Sequence, residues 1–139
     1  MVSLGLVIAQ FDKTGAVISE MDAAARAAVD DAGATLVDVV EVPGSYDTPI
    51  AADRLARREN VDAVAVIGAI ITGDTDHDQV IAQAIANNLT RVSLDRDTPV
   101  TMGVIGPGMT EAQARERTEY AAQAVESAVE LVESLEGSA

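Results

Sequence analysis

The chain has 139 residues, of which 48% are hydrophobic, so it is long enough for one domain with its own core. It contains 23 acidic and 9 basic residues, a formal net charge of -14, and no cysteine. This composition excludes disulfides and thiolate metal sites, and it disfavours binding to DNA, RNA or anionic membranes.

The acidic residues are spread along the whole chain rather than gathered in a tail. They form either a surface for cationic ligands or an adaptation to a salty cytoplasm, in which high ionic strength screens repulsion. The even spread favours the second interpretation, that of a halophile. No apolar stretch approaches about 20 residues, so we expect no membrane span. The first ten residues have no basic leader, and we therefore expect a cytoplasmic protein without a signal peptide.

Strands and helices alternate in the first part of the chain. Residues 4–10, LGLVIAQ, predict a buried strand. Apolar residues at helical spacing from Val17 to Ala28 predict a helix that ends at Gly33. Residues 34–42 predict a second strand.

The alternation continues in the middle of the chain. Thr48 and Pro49 predict a helix start, with the threonine as cap and the proline in the first turn. Residues 61–71, VDAVAVIGAII, are the most apolar segment and predict a central strand that is covered on both faces. A helix is predicted from about Asp76, with an apolar stripe formed by Val80, Ile81, Ala84, Ile85 and Leu89.

The last part of the chain predicts one more strand and one more helix. Residues 100–105, VTMGVI, predict the strand, and the Gly-Pro-Gly segment at 106–108 predicts a loop. The helix is predicted to begin at Thr110, where Gln113 completes a capping box.

This alternation predicts a single α/β domain over residues 1–139, a three-layer sandwich with helices on both faces of a four-stranded parallel sheet. We expect the flavodoxin-like strand order 2-1-3-4. Ligands of such folds bind beyond the carboxyl ends of the strands. Four segments meet there in the predicted fold, at residues 10–12, 43–47, 72–78 and 106–110.

The only histidine, His77, lies among aspartates after the most apolar strand. Asp74, Asp76 and Asp78 occupy the first, third and fifth positions of a possible calcium loop, but the glycine and glutamate that such a loop requires are absent. A looser magnesium site stays open from the spacing alone. Capping of a helix start explains the aspartates, because side-chain oxygens accept free N–H groups there and negative charge suits the dipole. It does not explain the histidine.

Arg117 and two aromatic residues are further candidates. Arg117 is predicted on the apolar face of the last helix, where it either extends to the surface or binds an anion. Arg115 has a glutamate four residues to either side and is expected to form an ion pair. Phe11 and Tyr46 follow the first and second strands, and each either stacks on a planar ring or packs under a loop.

Several common motifs are absent. Neither a dinucleotide-binding GxGxxG nor a phosphate-binding GxxxxGK[ST] occurs, and no serine stands in a nucleophile elbow. The sequence therefore indicates neither a nucleotide cofactor nor a serine hydrolase.

Four segments in order resemble the 6,7-dimethyl-8-ribityllumazine synthase family, most closely its archaeal members. They are VPGSYDTP (42–49), VIGAIITGDTDHD (66–78), TPVTMGVIGPGMT (98–110) and QARER (113–117). The resemblance covers nearly the whole chain. It implies condensation of 5-amino-6-(D-ribitylamino)uracil with 3,4-dihydroxy-2-butanone 4-phosphate in riboflavin biosynthesis, with no cofactor and no metal.

The resemblance also assigns roles by position. His77 matches the histidine proposed to move protons, and Phe11 matches the aromatic residue that stacks on the pyrimidine ring. The phosphate would be bound by Asp74, Thr75 and Arg117. The pyrimidine and the ribityl chain would be bound by Ser45, Tyr46, Asp47, Ile70, Ile71 and Met102.

The chain departs from bacterial members of the family at three places. Met102 stands where they often have phenylalanine, and Thr72 stands where they have arginine. Their lysine-rich segment after the arginine is TEYAAQAVE here, at residues 118–126, without lysine.

The family resemblance implies a homopentamer whose active sites lie between subunits, and in some members an icosahedral shell of twelve pentamers. Phe11, Asp47 and His77 would come from one subunit, and Met102 and Arg117 from its neighbour. Partners would be small-molecule substrates and other copies of the chain. Two alternatives stay open: the paralogous archaeal riboflavin synthase, and a non-catalytic module that binds flavin-like rings.

Overall fold

A four-stranded parallel sheet forms the centre of the molecule. The computed structural model describes residues 1–10 and 15–137. The strands lie in the order β2-β1-β3-β4, as predicted, and every neighbouring pair is parallel. Their bounds are Ser3–Ala9 for β1, Thr35–Val42 for β2, Ala63–Ile71 for β3 and Val100–Met109 for β4.

Helices cover both faces of this sheet and complete the predicted three-layer α/β sandwich. α1 and α5 pack on one face, and α2 and α3 pack on the other. A short 3-10 helix, Ser45–Asp47, precedes α2. The helices are α1 (Gly15–Asp31), α2 (Thr48–Ala56), α3 (His77–Arg96), α4 (Glu111–Arg115) and α5 (Tyr120–Leu135).

The central and edge strands differ as their compositions predict. Strand β3, AVAVIGAII, is buried along its whole length except at Ile71, because a helix layer covers each face. Strand β2 lies at an edge and carries Asp38 and Glu41, and only Val42 is fully buried in it. The apolar run at 61–71 therefore did predict the centre of the sheet.

The prediction that Thr48 caps α2 was wrong. The cap position is taken by Asp47, whose side chain makes no capping hydrogen bond. Thr48 is buried in the first turn, and its hydroxyl donates to the carbonyl oxygen of Ser45 at 2.8 Å. The physical reason is that Ser45–Asp47 already forms a helical turn that continues into α2.

The predicted loop at residues 106–108 was also wrong, because β4 continues through it. The pairing of Ala69 with Ile105 is followed by that of Ile71 with Met109, so Ile70 lies opposite three residues. This is a β-bulge. Gly106 has φ +99°, and a Cβ there would collide with the carbonyl oxygen of Ile70. The close approach of two strands explains a glycine that the sequence suggests to be a loop residue.

The predicted last helix is two helices. The capping box at its start is confirmed: the Gln113 N–H donates to the Thr110 hydroxyl at 3.2 Å, and the Thr110 N–H donates to Gln113 Oε1 at 2.9 Å. The chain then leaves the α-helix after Arg115 and resumes it at Tyr120. No glycine or proline lies between Thr110 and Leu135, so the local sequence gives no sign of this break.

Candidate active site

The described loops after the strands meet at the carboxyl edge of the sheet. The Gln10 N–H donates to the carbonyl oxygen of Val42 at 2.7 Å, which joins the ends of β1 and β2. Ser45 lies against β3: its Oγ is 3.1 Å from where a Cβ on Gly68 would stand. At the end of β4, the carbonyl oxygen of Met109 accepts the Thr72 N–H at 2.9 Å. The absence of a side chain at Gly68 leaves room for the 3-10 helix beside the central strand.

One group of predicted site residues lies along the ends of β2 and β3. Tyr46 leaves 67% of its surface exposed, whereas Ser45 and Asp47 are half-buried. Ile70 is buried and Ile71 is half-buried at the end of β3. Ile70 packs on the side of α2 and α3 and Ile71 on the side of α1 and α5, because successive strand residues point to opposite faces. The group thus offers an aromatic ring, a hydroxyl and a carboxylate at a strand end with apolar side chains on both faces.

The start of α3 presents the histidine. His77 is the first residue of the helix and is exposed. Its backbone N–H donates to the Thr75 hydroxyl at 3.3 Å, so Thr75 helps to cap the helix. Asp76 occupies the cap position but makes no capping bond with its side chain, and Asp74 is exposed. The expectation that the aspartates cap this helix is therefore wrong for Asp76.

Asp78 differs from the other aspartates, because it points toward the sheet and is only 6% exposed. The predicted apolar stripe of α3 is wrong at Val80, which is 63% exposed. The helix is rotated so that its buried side chains are Asp78, Ile85, Leu89 and Val92.

The described residues offer no cluster for a metal ion. Within 1–10 and 15–137, no group of three or more histidine, aspartate and glutamate side chains converges. The magnesium site that the spacing left open therefore has no geometric support in this part of the chain.

A second group lines a cavity of about 440 Å³ beside β4. Met102 is 46% exposed and Tyr120 is 44% exposed, and both face this cavity together with Arg117. Helix α5 reaches β4 closely, because a Cβ on Gly103 would stand 2.8 Å from the Cβ of Ala124. The cavity is lined by residues 102–109, Gln113, Arg117 and Tyr120.

Arg117 lies in the break between α4 and α5. Its N–H donates to the Ala114 carbonyl at 3.0 Å, and its own carbonyl accepts the Tyr120 N–H at 3.1 Å. Its side chain donates from Nη1 to the carbonyl oxygen of Gln113 at 2.9 Å. Arg115, by contrast, forms the expected ion pair with Glu111 at 2.9 Å. With the described residues Arg117 forms no ion pair, so its charge remains available to an anion.

The predicted site residues therefore lie in two groups within one chain. The cavity that contains Met102 and Arg117 is lined neither by His77 nor by the 3-10 helix Ser45–Asp47. The prediction for Phe11 falls outside the described residues.

Sequence reasoning missed two residues of this region, Tyr120 and Asp78. The chain has only three aromatic residues, so the position of Tyr120 three residues after Arg117 was a usable signal. The inward direction of Asp78 had no signal, because Asp74 and Asp76 are of the same residue type.

The described part of the chain contains no helix of the length and apolar character that crossing a membrane requires.

Comparisons with known proteins match nearly the whole chain. The family model described as 6,7-dimethyl-8-ribityllumazine synthase matches residues 1–136. A 6,7-dimethyl-8-ribityllumazine synthase of Halobacterium salinarum is 63% identical over 135 residues, which cover 97% of this chain and 100% of the relative. The protein of the same description from Halorubrum lacusprofundi is 62% identical, covering 98% and 100%. That of Methanosarcina barkeri is 44% identical, covering 96% and 98%.

Proposed function

Because this chain belongs to the 6,7-dimethyl-8-ribityllumazine synthase family, we propose that its active site forms at the carboxyl edge of the sheet, between two copies of the chain. The chain is a transferase of riboflavin biosynthesis. It condenses 5-amino-6-(D-ribitylamino)uracil with 3,4-dihydroxy-2-butanone 4-phosphate to give 6,7-dimethyl-8-ribityllumazine, with release of phosphate and water. The high identity to halophilic archaeal relatives disfavours both the riboflavin synthase and the non-catalytic binding module.

One observation carries the proposal of a shared site. Arg117 lies with Met102 in a cavity beside the edge strand β4, and neither His77 nor Ser45–Asp47 lines that cavity. A reaction that needs both the histidine and the arginine at one substrate is served if a neighbouring copy places its β4 edge against His77. Closed rings arise from such head-to-tail contacts, which fits a homopentamer.

The pyrimidine substrate is assigned to the first group. Phe11 and Tyr46 supply aromatic surface for the ring, and Ile70 and Ile71 are assigned to the apolar lining of the ring pocket. Ser45 and Asp47 supply hydroxyl and carboxylate oxygens that accept hydrogen bonds from the ribityl hydroxyls. Met102 of the neighbouring copy packs on the ring from the other side.

The phosphate of the second substrate is assigned to the start of α3 and to Arg117. Asp74 and Thr75 contribute through backbone N–H groups near the helix start and through the threonine hydroxyl. The Arg117 guanidinium of the neighbouring copy supplies the positive charge and two or more donors. In a chain of charge -14, this cation gives an anionic substrate a specific place to bind.

The chain's own contribution to the chemistry is orientation and proton transfer. The amine of the pyrimidine substrate attacks the ketone of the butanone phosphate and forms a Schiff base with loss of water. Elimination of phosphate follows, and attack of the ribityl-bearing nitrogen on the remaining carbonyl closes the second ring with loss of another water. His77, exposed at the start of α3, accepts and returns the protons that these steps move. Holding two substrates in register replaces an encounter in solution and supplies much of the acceleration.

Assembly is proposed to depend on salt, because each copy brings a charge of -14 to the ring. We expect a homopentamer in the cytoplasm of a halophile, with further packing of pentamers into an icosahedral shell as a second possibility. Sedimentation and turnover should both increase from low to high salt. Equal sedimentation at the two ionic strengths would contradict this expectation.

A turnover assay at high salt tests the proposed site. The pure protein is mixed with both substrates, and lumazine absorbance is followed against the spontaneous rate. The proposal expects acceleration that falls in His77→Ala and in Arg117→Ala. A folded and assembled protein that accelerates nothing would contradict it. Riboflavin formed from the lumazine alone would instead favour the paralogous synthase.

A further inference from the structure

Asp78 is a buried carboxylate that the proposed reaction does not use. Among residues 1–10 and 15–137 it is the only ionisable side chain that is fully buried, with 6% of its surface exposed. It forms no ion pair with a described residue. A buried carboxylate costs free energy unless it accepts hydrogen bonds, so its contacts should identify its role.

The contacts of Asp78 join three elements at the carboxyl edge. Its Oδ2 accepts the backbone N–H of Gly108 at 3.0 Å, and the Thr72 hydroxyl lies 3.5 Å from the same oxygen. Gly108 belongs to the bulge of β4, and Thr72 directly follows β3. The carboxylate therefore ties the first turn of α3 to the ends of both strands.

This tie fixes how α3 is rotated at its start. Successive residues of an α-helix are about 100° apart around its axis, so a side chain that is held inward sets the directions of its neighbours. The Asp78 side chain accepts a hydrogen bond from the sheet, so the neighbouring His77 side chain is exposed. The Thr75 hydroxyl accepts the His77 N–H. Further along, Ile85 and Leu89 hold the same face of the helix against the sheet. Asp78 is the first and only polar residue of this buried helix face, and it lies next to the proposed site.

We propose that Asp78 is a positioning residue, which holds His77 and Thr75 in register with the β4 bulge through its bonds to Gly108 and Thr72. The inference rests on the proposed roles of His77 and Thr75. Without the tie, the first turn of α3 moves relative to the rest of the site. A displacement of about 1 Å at reacting groups is enough to cost about 100-fold in rate.

The kinetic constants of Asp78→Ala test this role. We expect kcat to fall about 100-fold and the KM for the butanone phosphate to rise, because histidine and phosphate site move together. The KM for the pyrimidine substrate should stay within about twofold, since Ser45 and Asp47 lie on another loop. A mere loss of folded protein would lower the apparent kcat and leave both KM values unchanged.

Two further variants grade the effect. Asp78→Asn keeps an oxygen that can accept the Gly108 N–H, and it should recover most of the lost activity. Thr72→Val removes only the longer contact and should change the same two constants in the same direction, by a few-fold. Thr72→Val keeps the test decisive if the alanine variant fails to fold, because it removes one contact of the Asp78 carboxylate and leaves that buried side chain in place.

Thr101→Val is the matched control. Thr101 is buried in β4, its hydroxyl donates to the carbonyl oxygen of Ala124 at 2.7 Å, and it neither contacts Asp78 nor lines the cavity beside β4. Its loss removes one buried hydrogen bond and should lower thermal stability without changing either KM. The inference is overturned if Asp78→Ala keeps all constants within twofold, or if Thr101→Val shows the same KM split. Absence of turnover by the unmodified protein would instead contradict the proposed site as a whole.

Discussion

The two ends of the sheet use their charged side chains differently. At the amino end, Arg96 at the end of α3 and Arg57 both bond the Asp53 carboxylate at 2.8 Å, and Arg58 bonds Asp38 at 2.7 Å. At the carboxyl end, Arg117 bonds only a main-chain carbonyl among the described residues. Arg57, Arg58 and Arg96 at the amino end are thus paired with carboxylates, whereas Arg117 at the carboxyl end is not paired with a described residue.

The cavities at the two ends lead to the same conclusion. The cavity at the amino end is about 800 Å³, larger than the one of about 440 Å³ beside β4. Its lining includes Asp62, Asp97 and Glu136 and no basic residue, so it would repel a phosphate. Size alone would favour the amino end. Strand direction and charge favour the carboxyl end, where parallel sheets bind their ligands, and the proposed site lies there.

Replacing His77 should have the largest effect of the changes that test this comparison. His77→Ala should lower kcat about 100-fold, because proton transfer by a positioned side chain contributes at least that much. The KM values should change little, since the histidine is not assigned a binding role. Steady-state kinetics at high salt measures both constants. An unchanged kcat would remove the histidine from the reaction.

Replacing Arg117 should have a smaller effect on a different constant. Arg117→Ala should lower kcat/KM for the butanone phosphate about 30-fold, which corresponds to about 2 kcal/mol for lost hydrogen bonds to a charged group. Arg117→Lys keeps the charge without the planar fork and should recover part of the loss. Arg115→Ala is the matched control, because Arg115 is paired with Glu111. Equal losses in the two alanine variants would show a general charge effect.

Replacing Asp53, at the amino end of the sheet, should lower the free energy of unfolding and leave turnover unchanged. Its hydrogen bond from Arg96 holds the pKa of the carboxyl below its ordinary value of 3.8. A lowered folded-state pKa adds stability above pH 3.8, and this contribution is lost as the pH falls through the folded-state value. Asp53→Asn should therefore lower the free energy of unfolding by about 0.5 kcal/mol at neutral pH. Urea unfolding should show the difference from wild type disappear in acid.

A change in the large cavity should have the smallest effect. Leu94 lines it and is 75% exposed, so Leu94→Ser should leave kcat/KM within about twofold. The same turnover assay checks this. A loss comparable to that in Arg117→Ala would indicate that the substrate binds in the cavity at the amino end, which would contradict the comparison.

Most of the fold could be predicted from the sequence, because strand and helix patterns are local. The apolar run of β3 predicted the central strand, the glycine at position 33 predicted the end of α1, and the capping box at Thr110 predicted the start of α4. The β4 bulge was missed because Gly-Pro-Gly signals a loop, whereas its geometry depends on how closely Ile70 approaches Gly106. The break at Arg117 had no local signal.

The sequence predicts which residue types the site contains, but not which of them are buried or exposed. The family resemblance assigned roles to His77 and Arg117, which stay predictions, and the structure adds where each lies. Asp76 and Asp78 are chemically identical, and only the packing of α3 on the sheet makes one exposed and the other buried. Such differences arise from tertiary contacts, which a local pattern does not contain.

Mixing two impaired variants, assayed as kcat/KM, tests the central claim, that one site takes His77 from one copy and Arg117 from the next. His77→Ala and Arg117→Ala are each dissociated at low salt, mixed in equal amounts and reassembled at high salt. In a mixed ring, about a quarter of the interfaces join an intact His77 to an intact Arg117, so about a quarter of wild-type activity should return. Each variant reassembled alone is the control. If activity stays at the level of the separate variants although mixed rings have formed, the site lies within one chain and the account is contradicted.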